Sequence, residues 1–169
     1  MAATTPTTVV APSGLGPLAI GDSVMLGAAN ALRAAIPGIR IDAAIGRQWN
    51  AGVALVQANR AAGQLGNTVI IGLGNNGTVT PAGFNAMMAA LAGVPNVIVI
   101  DVRVDRSWQN SDNAVLRAGV ASYPSIHLVD WYGYSAGHSN WFYDDGTHLR
   151  PDTAANYAAL VAQGLKPAG

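Results

Sequence analysis

The sequence predicts an α/β fold, a three-layer α/β/α sandwich around a five-stranded parallel sheet, and three observations predict it. Five short apolar runs recur at intervals of about 30 residues, the length of a βα unit. Two of them, "TVIIGL" and "NVIVIDV", are unbroken and rich in β-branched residues, as suits strands covered on both faces. Helical patterns fall between the runs, so strand and helix alternate along the chain.

The strands are expected at Pro17 to Ile20, Ile39 to Ala43, Thr68 to Leu73, Asn96 to Val102 and Ile126 to Asp130. After the first, Val24 to Ala35 carries Met25, Leu26, Ala29 and Leu32 at helical spacing and stops at Pro37-Gly38. No helix is assigned between the second and third strands. Thr80-Pro81 supplies an N-cap and a proline at the first helical position, leading into "AGFNAMMAALAG". Gln109 to Ala121 follows the fourth strand, and the last helix opens near Pro151 and ends around Leu165. The stretch from Trp131 to His148 is too long for a structural connection, which marks it as functional. It holds six of the eleven aromatics, whose rings suit either stacking on a sugar or packing the loop onto the body.

Composition sets the bounds. A chain of 169 residues fits one domain with its own core. Net charge is zero and the basic residues, eight Arg and Lys166, form no cluster, so a nucleic-acid partner is not expected. Without cysteine there is no disulfide, thiolate metal site or Cys nucleophile. No apolar run reaches the roughly 18 residues of a membrane span, so this domain is not expected to insert into a bilayer. Residues 1–15 are rich in Thr, Pro and Ala and lack the basic and apolar regions of a signal peptide. They read as a flexible linker or tail, with residues 16–169 forming a single domain cut from a longer chain or a mature form without its export signal.

In parallel α/β sheets ligands bind beyond the C-terminal ends of the strands. Asp22 and Ser23 follow the first strand, Gly46 to Gln48 the second, and Asn75 and Asn76 the third, so all would converge on one rim. Ser23 is open to two readings, an N-cap of the first helix or a nucleophile. The second needs a base, usually His oriented by a carboxylate. His127 falls inside the fifth strand as a core or lining residue, and His138 lies in the aromatic loop. His148 sits in "YDDGTHLRP", where a tight turn through Gly146 and Thr147 can fold Asp145 back against its ring. His138, Asp144, Asp145 and His148 match no established metal-ligand spacing, so acid–base use of His148 is expected and no metal or cofactor is. Three donors could receive an oxyanion: the Ser23 N–H at a helix N-terminus, the Gly46 N–H, and the Asn76 side-chain amide.

"GDS" near the start, a Gly after the second strand, "GNN" after the third and "DGTH" before the last helix stand in the order of the four blocks of the SGNH (GDSL-like) serine hydrolase superfamily. The resemblance spans roughly residues 17 to 165 and implies the flavodoxin-like sheet of that superfamily. It makes Ser23 the nucleophile, His148 the base, Asp145 its orienting acid, and Ser23, Gly46 and Asn76 the oxyanion hole. "AIGDSVMLGA", "IDAAIGRQ" and "DDGTHLRPD" most resemble the extracytoplasmic C-terminal domain of peptidoglycan O-acetyltransferase-type membrane acyltransferases. Many SGNH hydrolases carry Asp after the third-block Asn; Gly77 stands here, a variant shared with the acyltransferase branch. The expected function is therefore serine-dependent acyl (acetyl) transfer through a covalent acyl-enzyme, from an acyl ester donor to a sugar or water acceptor, moving O-acetyl groups to or from a cell-wall or other polysaccharide. Arg47, Gln48, Trp131, Tyr134 and Trp141 are the expected substrate-binding residues, and a membrane acyltransferase domain is expected on the same full-length chain. A stand-alone secreted carboxylesterase and a non-catalytic carbohydrate-binding domain are the alternatives.

Overall fold

The computed structural model describes residues 14–165, so the expected linker, except for Gly14 and Leu15, lies outside the described residues. The strands are β1 (Leu18–Gly21), β2 (Arg40–Ala43), β3 (Thr68–Gly72), β4 (Asn96–Ile100) and β5 (Ile126–Val129). They form one parallel sheet in the order β2-β1-β3-β4-β5. The helices are α1 (Ser23–Gly27), α2 (Ala29–Ala35), α3 (Trp49–Ala61), α4 (Pro81–Ala90), α5 (Gln109–Ala121), α6 (Trp131–Tyr134) and α7 (Ala154–Gly164), with a 3-10 turn at Ser139–Trp141.

Alternation along the strands separates two cores. Leu18, Ile20, Val69, Ile71, Val97 and Val99 pack against α3, α4 and α5 through Val53, Val56, Phe84, Met87 and Leu116. Ala19, Ile70, Ile98 and Ile100 face the other way, onto Met25, Leu32, Trp131, Tyr157 and Val161 of α1, α2, α6 and α7. Full burial of each such aliphatic side chain contributes about 1.5–3 kcal/mol, so the central strands form a firm frame for what their ends carry.

Several expectations shift in detail. The fourth apolar run outlasts its strand: Asp101 keeps one bond to β5, its N–H donating to the Val129 carbonyl at 3.1 Å, but at Val102 the Asn113 side chain takes both backbone polar groups, at 2.7 and 2.8 Å. The single helix expected over Val24 to Ala35 is two, joined at Ala28, whose N–H still bonds back to Val24 and Met25. Helix α3 is the element not assigned from sequence. Its buried residues Trp49, Gly52, Val53 and Val56 do lie at helical spacing, but Gly52 argues locally against a helix. The reason for that glycine is tertiary: a Cβ there would come within 2.2 Å of Leu73 Cδ1.

With β1 flanked by β2 and β3, the chain leaves in opposite directions at this point of the sheet, the usual place for a ligand crevice. Gly21 pairs with both Ala43 and Gly72, so the loops after the three strands start level with one another.

Candidate active site

The first helix begins where β1 ends, and its cap distinguishes Asp22 from Ser23. Asp22 is the N-cap, accepting the Val24 N–H at 3.0 Å, and Ser23 is the first helical residue. The Ser23 hydroxyl is thus free of capping and lies 2.8 Å from His148 Nε2. At the N-terminus of a helix, the Ser23 N–H has no intrahelical acceptor.

The histidine is delivered by a short reversed segment. Phe142 and Leu149, both buried, form an antiparallel bridge, and the Tyr143 N–H donates to the His148 carbonyl at 2.9 Å. At its tip Asp145 Oδ1 accepts the backbone N–H groups of Thr147 and His148, each at 2.9 Å, while Oδ2 lies 2.6 Å from His148 Nδ1. Desolvation pulls the Asp145 carboxyl upward, but the bonds from the His148 ring and from these two N–H groups outweigh it and lower its pKa. An ionised carboxylate can only accept, so Nδ1 carries the proton and Nε2 presents its lone pair to the Ser23 hydroxyl. The His148 and Asp145 side chains are 45% and 49% exposed, so water reaches this pair.

The other two loops bring donors. Ala44 to Arg47 forms a tight turn closed by an N–H···O bond of 3.3 Å, with Gly46 in its third position at φ 72°. That conformation favours glycine. Asn75 and Asn76 follow β3: Asn75 donates its side-chain amide to Asp22 Oδ2 at 2.9 Å, and the Asn76 Nδ2 is buried with no acceptor among the described residues. Asp22 itself is fully buried, and desolvation raises its pKa against the opposing bonds from Asn75 and Val24. It links the serine's helix to the asparagine loop.

Of the expected substrate-binding residues, two are packed or bonded within the protein. Trp131 is 2% exposed and sits at the centre of an aromatic cluster, edge-on to Tyr157 and stacked on Trp141 at 6.1 Å. Its ring packs the loop onto the body because it follows β5 directly and falls on the core face of α6. Arg47 is spent inside the protein, bonding the Gly21 carbonyl and both the carbonyl and carboxylate of Asp42. Tyr134 is 44% exposed, and Trp141 is half-buried between Trp131 and the ring of His138 at 4.0 Å. His127, expected in the core, is exposed because β5 is an edge strand. Gln48 is exposed and lines a cleft of about 300 Å³ with Asn50, Gly77, Thr78 and Thr80. A second cleft, of about 480 Å³, lies beside Asp145 and is lined by charged groups, among them Arg103, Asp105 and Asp144.

Sequence reasoning did not foresee the Asp22–Asn75 bond or the inward turn of Arg47. The Asp22 side chain was visible as a cap, but its second partner lies 53 residues away.

No protein-family model matches the chain. It is 34% identical over 159 residues to the peptidoglycan O-acetyltransferase OatA of Listeria monocytogenes, across 94% of this chain and 25% of that protein. It is also 34% identical over 134 residues to the O-acetyltransferase OatA of Staphylococcus aureus, across 79% of this chain and 22% of that one. The chain thus spans about a quarter of the length of the curated relatives it matches. Among solved structures it is similar to the C-terminal catalytic domain of peptidoglycan O-acetyltransferase A from Streptococcus pneumoniae, captured with a methylsulfonyl adduct. The TM-score is 0.70, with 23% identity and 89% of each chain covered.

Proposed function

We propose that this chain is a serine acyltransferase of the SGNH type, which transfers an acetyl group through a covalent acyl-serine from an ester donor to a hydroxyl of a cell-wall sugar. The observation that carries this reading is the continuous relay from Asp145 through His148 to the Ser23 hydroxyl, at 2.6 and 2.8 Å. Ser23 Oγ attacks the donor carbonyl as His148 Nε2 takes its proton, and Asp145 holds the ring and stabilises the imidazolium. The carbonyl oxygen, now anionic, accepts from the Ser23 N–H, the Gly46 N–H and the Asn76 amide. Collapse expels the donor alcohol, which takes the proton back from His148 and leaves acetyl on Ser23. The acceptor hydroxyl then attacks with His148 again as base, and a second collapse frees Ser23 and forms the new ester.

The sugar acceptor comes from the names of the relatives and suits the cleft beside the oxyanion donors. Gln48, Asn50 and Thr78 there are neutral hydrogen-bonding groups, fitted to an uncharged polyol rather than to an ion. On this reading the full-length protein places the domain outside the cytoplasm, and a membrane acyltransferase part elsewhere on the same polypeptide supplies the acetyl group. Among the described residues no helix is long and apolar enough to cross a membrane.

The half-exposed His148 and Asp145 favour a second reading, an esterase in which water takes the place of the sugar. One experiment separates them: release of p-nitrophenol from p-nitrophenyl acetate by wild type and Ser23→Ala, with and without chitooligosaccharide or muropeptide, the sugars being analysed by mass spectrometry. Ser23-dependent acetylation of the sugar is the expected result. Acetate alone, with the sugar unmodified, makes the domain an esterase. Absence of Ser23-dependent turnover, together with failure of a sulfonyl fluoride to label Ser23, leaves a sugar-binding module.

A further inference from the structure

We propose that Arg47 is a positioning residue: its buried guanidinium fixes the Gly46 donor relative to Ser23, and through that contact sets the rate of acyl transfer. The inference rests on the acyl-transfer reading above. Arg47 follows Gly46 directly and closes the turn that presents it. Its side chain is only 12% exposed, and its guanidinium spans three acceptors. Nη1 donates to the Gly21 carbonyl at 3.2 Å and to the Asp42 carbonyl, while Nη2 meets Asp42 Oδ1 at 2.7 Å. The Gly21 carbonyl also accepts the Ala44 N–H at 3.2 Å, so both ends of the Gly46 turn are tied to the same oxygen. Gly21 is one residue from Asp22 and two from Ser23.

A glycine at positive φ in an exposed turn has little of its own to hold it. Here the turn is fastened to the last residue of β1, two before the nucleophile, so the Ser23 and Gly46 N–H groups move as one piece. Arginine suits this post because its donors lie in a rigid planar fork; lysine offers a point charge on a flexible stem and cannot span the same acceptors. None of these bonds reaches into either cleft. Loosening them should therefore weaken the hold on the developing oxyanion while leaving ground-state binding alone.

The test compares Arg47→Ala, Arg47→Lys and Asp42→Asn with wild type on p-nitrophenyl acetate, with melting temperature measured in parallel and added guanidinium at millimolar concentration as a rescue agent. Arg47→Ala is expected to lower kcat by about 10- to 10²-fold with KM within about twofold, since one oxyanion donor is displaced and not removed. Arg47→Lys should fall between Arg47→Ala and wild type. Guanidinium should restore kcat of Arg47→Ala by about tenfold and leave wild type unchanged. Asp42→Asn keeps the carbonyl contacts and, with Asp42 half-exposed, keeps the fold; a loss of about three- to tenfold in kcat is expected. This variant carries the test if Arg47→Ala does not fold. Unchanged kcat in both Asp42→Asn and Arg47→Lys, or loss in Arg47→Ala that follows KM or melting temperature without guanidinium rescue, overturns the positioning role alone. A folded wild type without Ser23-dependent turnover overturns the acyl-transfer reading and this inference with it.

Discussion

The two sides of Ser23 are built in different ways. On the proposed acid–base side Asp145 and His148 are three residues apart, set by one tight turn whose backbone N–H groups bind the same carboxylate that meets the ring. On the proposed oxyanion side the candidate donors come from loops after three different strands, and bonds between residues 26 and 53 positions apart hold those loops together. The first arrangement is local and half-exposed, the second long-range and drawn into the sheet. A local unit can be damaged without harm to the fold, whereas the oxyanion side shares its supports with the ends of β1, β2 and β3. Catalysis and stability should therefore separate cleanly on one side and less cleanly on the other.

The strongest test of this contrast removes the atom where the sides meet. Ser23→Ala should reduce turnover of an activated acetyl ester by roughly 10⁶-fold, the loss expected when nucleophile, base and donors act as a unit. Its melting temperature should stay near that of wild type, because the cap of α1 belongs to Asp22. On the local side, Asp145→Asn should lower kcat by about 10³- to 10⁴-fold, since an amide in place of the carboxylate fails to hold the reactive tautomer. Circular dichroism should show the fold intact, because the new amide oxygen still accepts from Thr147 and His148. On the long-range side, Asn76→Ala should lower kcat by about 10²-fold, the cost of one lost donor. Its melting temperature should not fall: the deleted amide N–H₂ is already buried without a partner among the described residues, so its removal leaves nothing newly unpaired. A fall of less than about threefold in kcat would take Asn76 out of the hole.

What the sequence disclosed follows the same division. The Asp145–His148 pair was legible because spacing within a turn fixes it, and the strands were legible because runs such as Val69 to Ile71 are apolar on both faces. The connection between Arg47 and Gly21 was not, since a side chain 26 residues away leaves no local signature and an arginine beside a glycine reads equally as a ligand contact. The burial of Trp131 was hidden from the sequence for a related reason. Aromatic content marks the segment, but only the register of α6 against β4 and α7 decides that Trp131 turns inward while Tyr134 stays exposed. Helix α3 escaped because the tight fit of Gly52 against Leu73 is a demand of packing that a local reading scores as a defect.

The end of β4 offers the smallest effect and a control for both sides, because its carboxylate is buried yet takes no part in the relay. Asp101 is 3% exposed; it accepts the Tyr132 N–H at 2.8 Å and meets Arg117 at 2.7 Å, while Arg117 also reaches Asp130. Burial, with further help from the neighbouring Asp130, raises its pKa to about 7 against the pull of the Tyr132 N–H and Arg117. The folded state therefore binds more protons than the unfolded chain between pH about 4 and about 7. Stability from this group is fully present below that window and is lost as pH rises through it. The lowered carboxyls of Asp145 and Asp130 act in the opposite sense and only at more acid pH, so their contribution does not overlap. Thermal melting of wild type from pH 5 to pH 8 should show the decline, and Asp101→Asn, neutral throughout, should make it shallower, leaving only the part due to Asp22 and Asp112, whose carboxyls burial also raises. Ester turnover per folded molecule should be the same in Asp101→Asn and wild type at each pH, since Asp101 is bonded to α6 and α5 and to neither side of Ser23; a pH–rate profile that moved with this substitution would mean that the aromatic segment is coupled to the nucleophile after all.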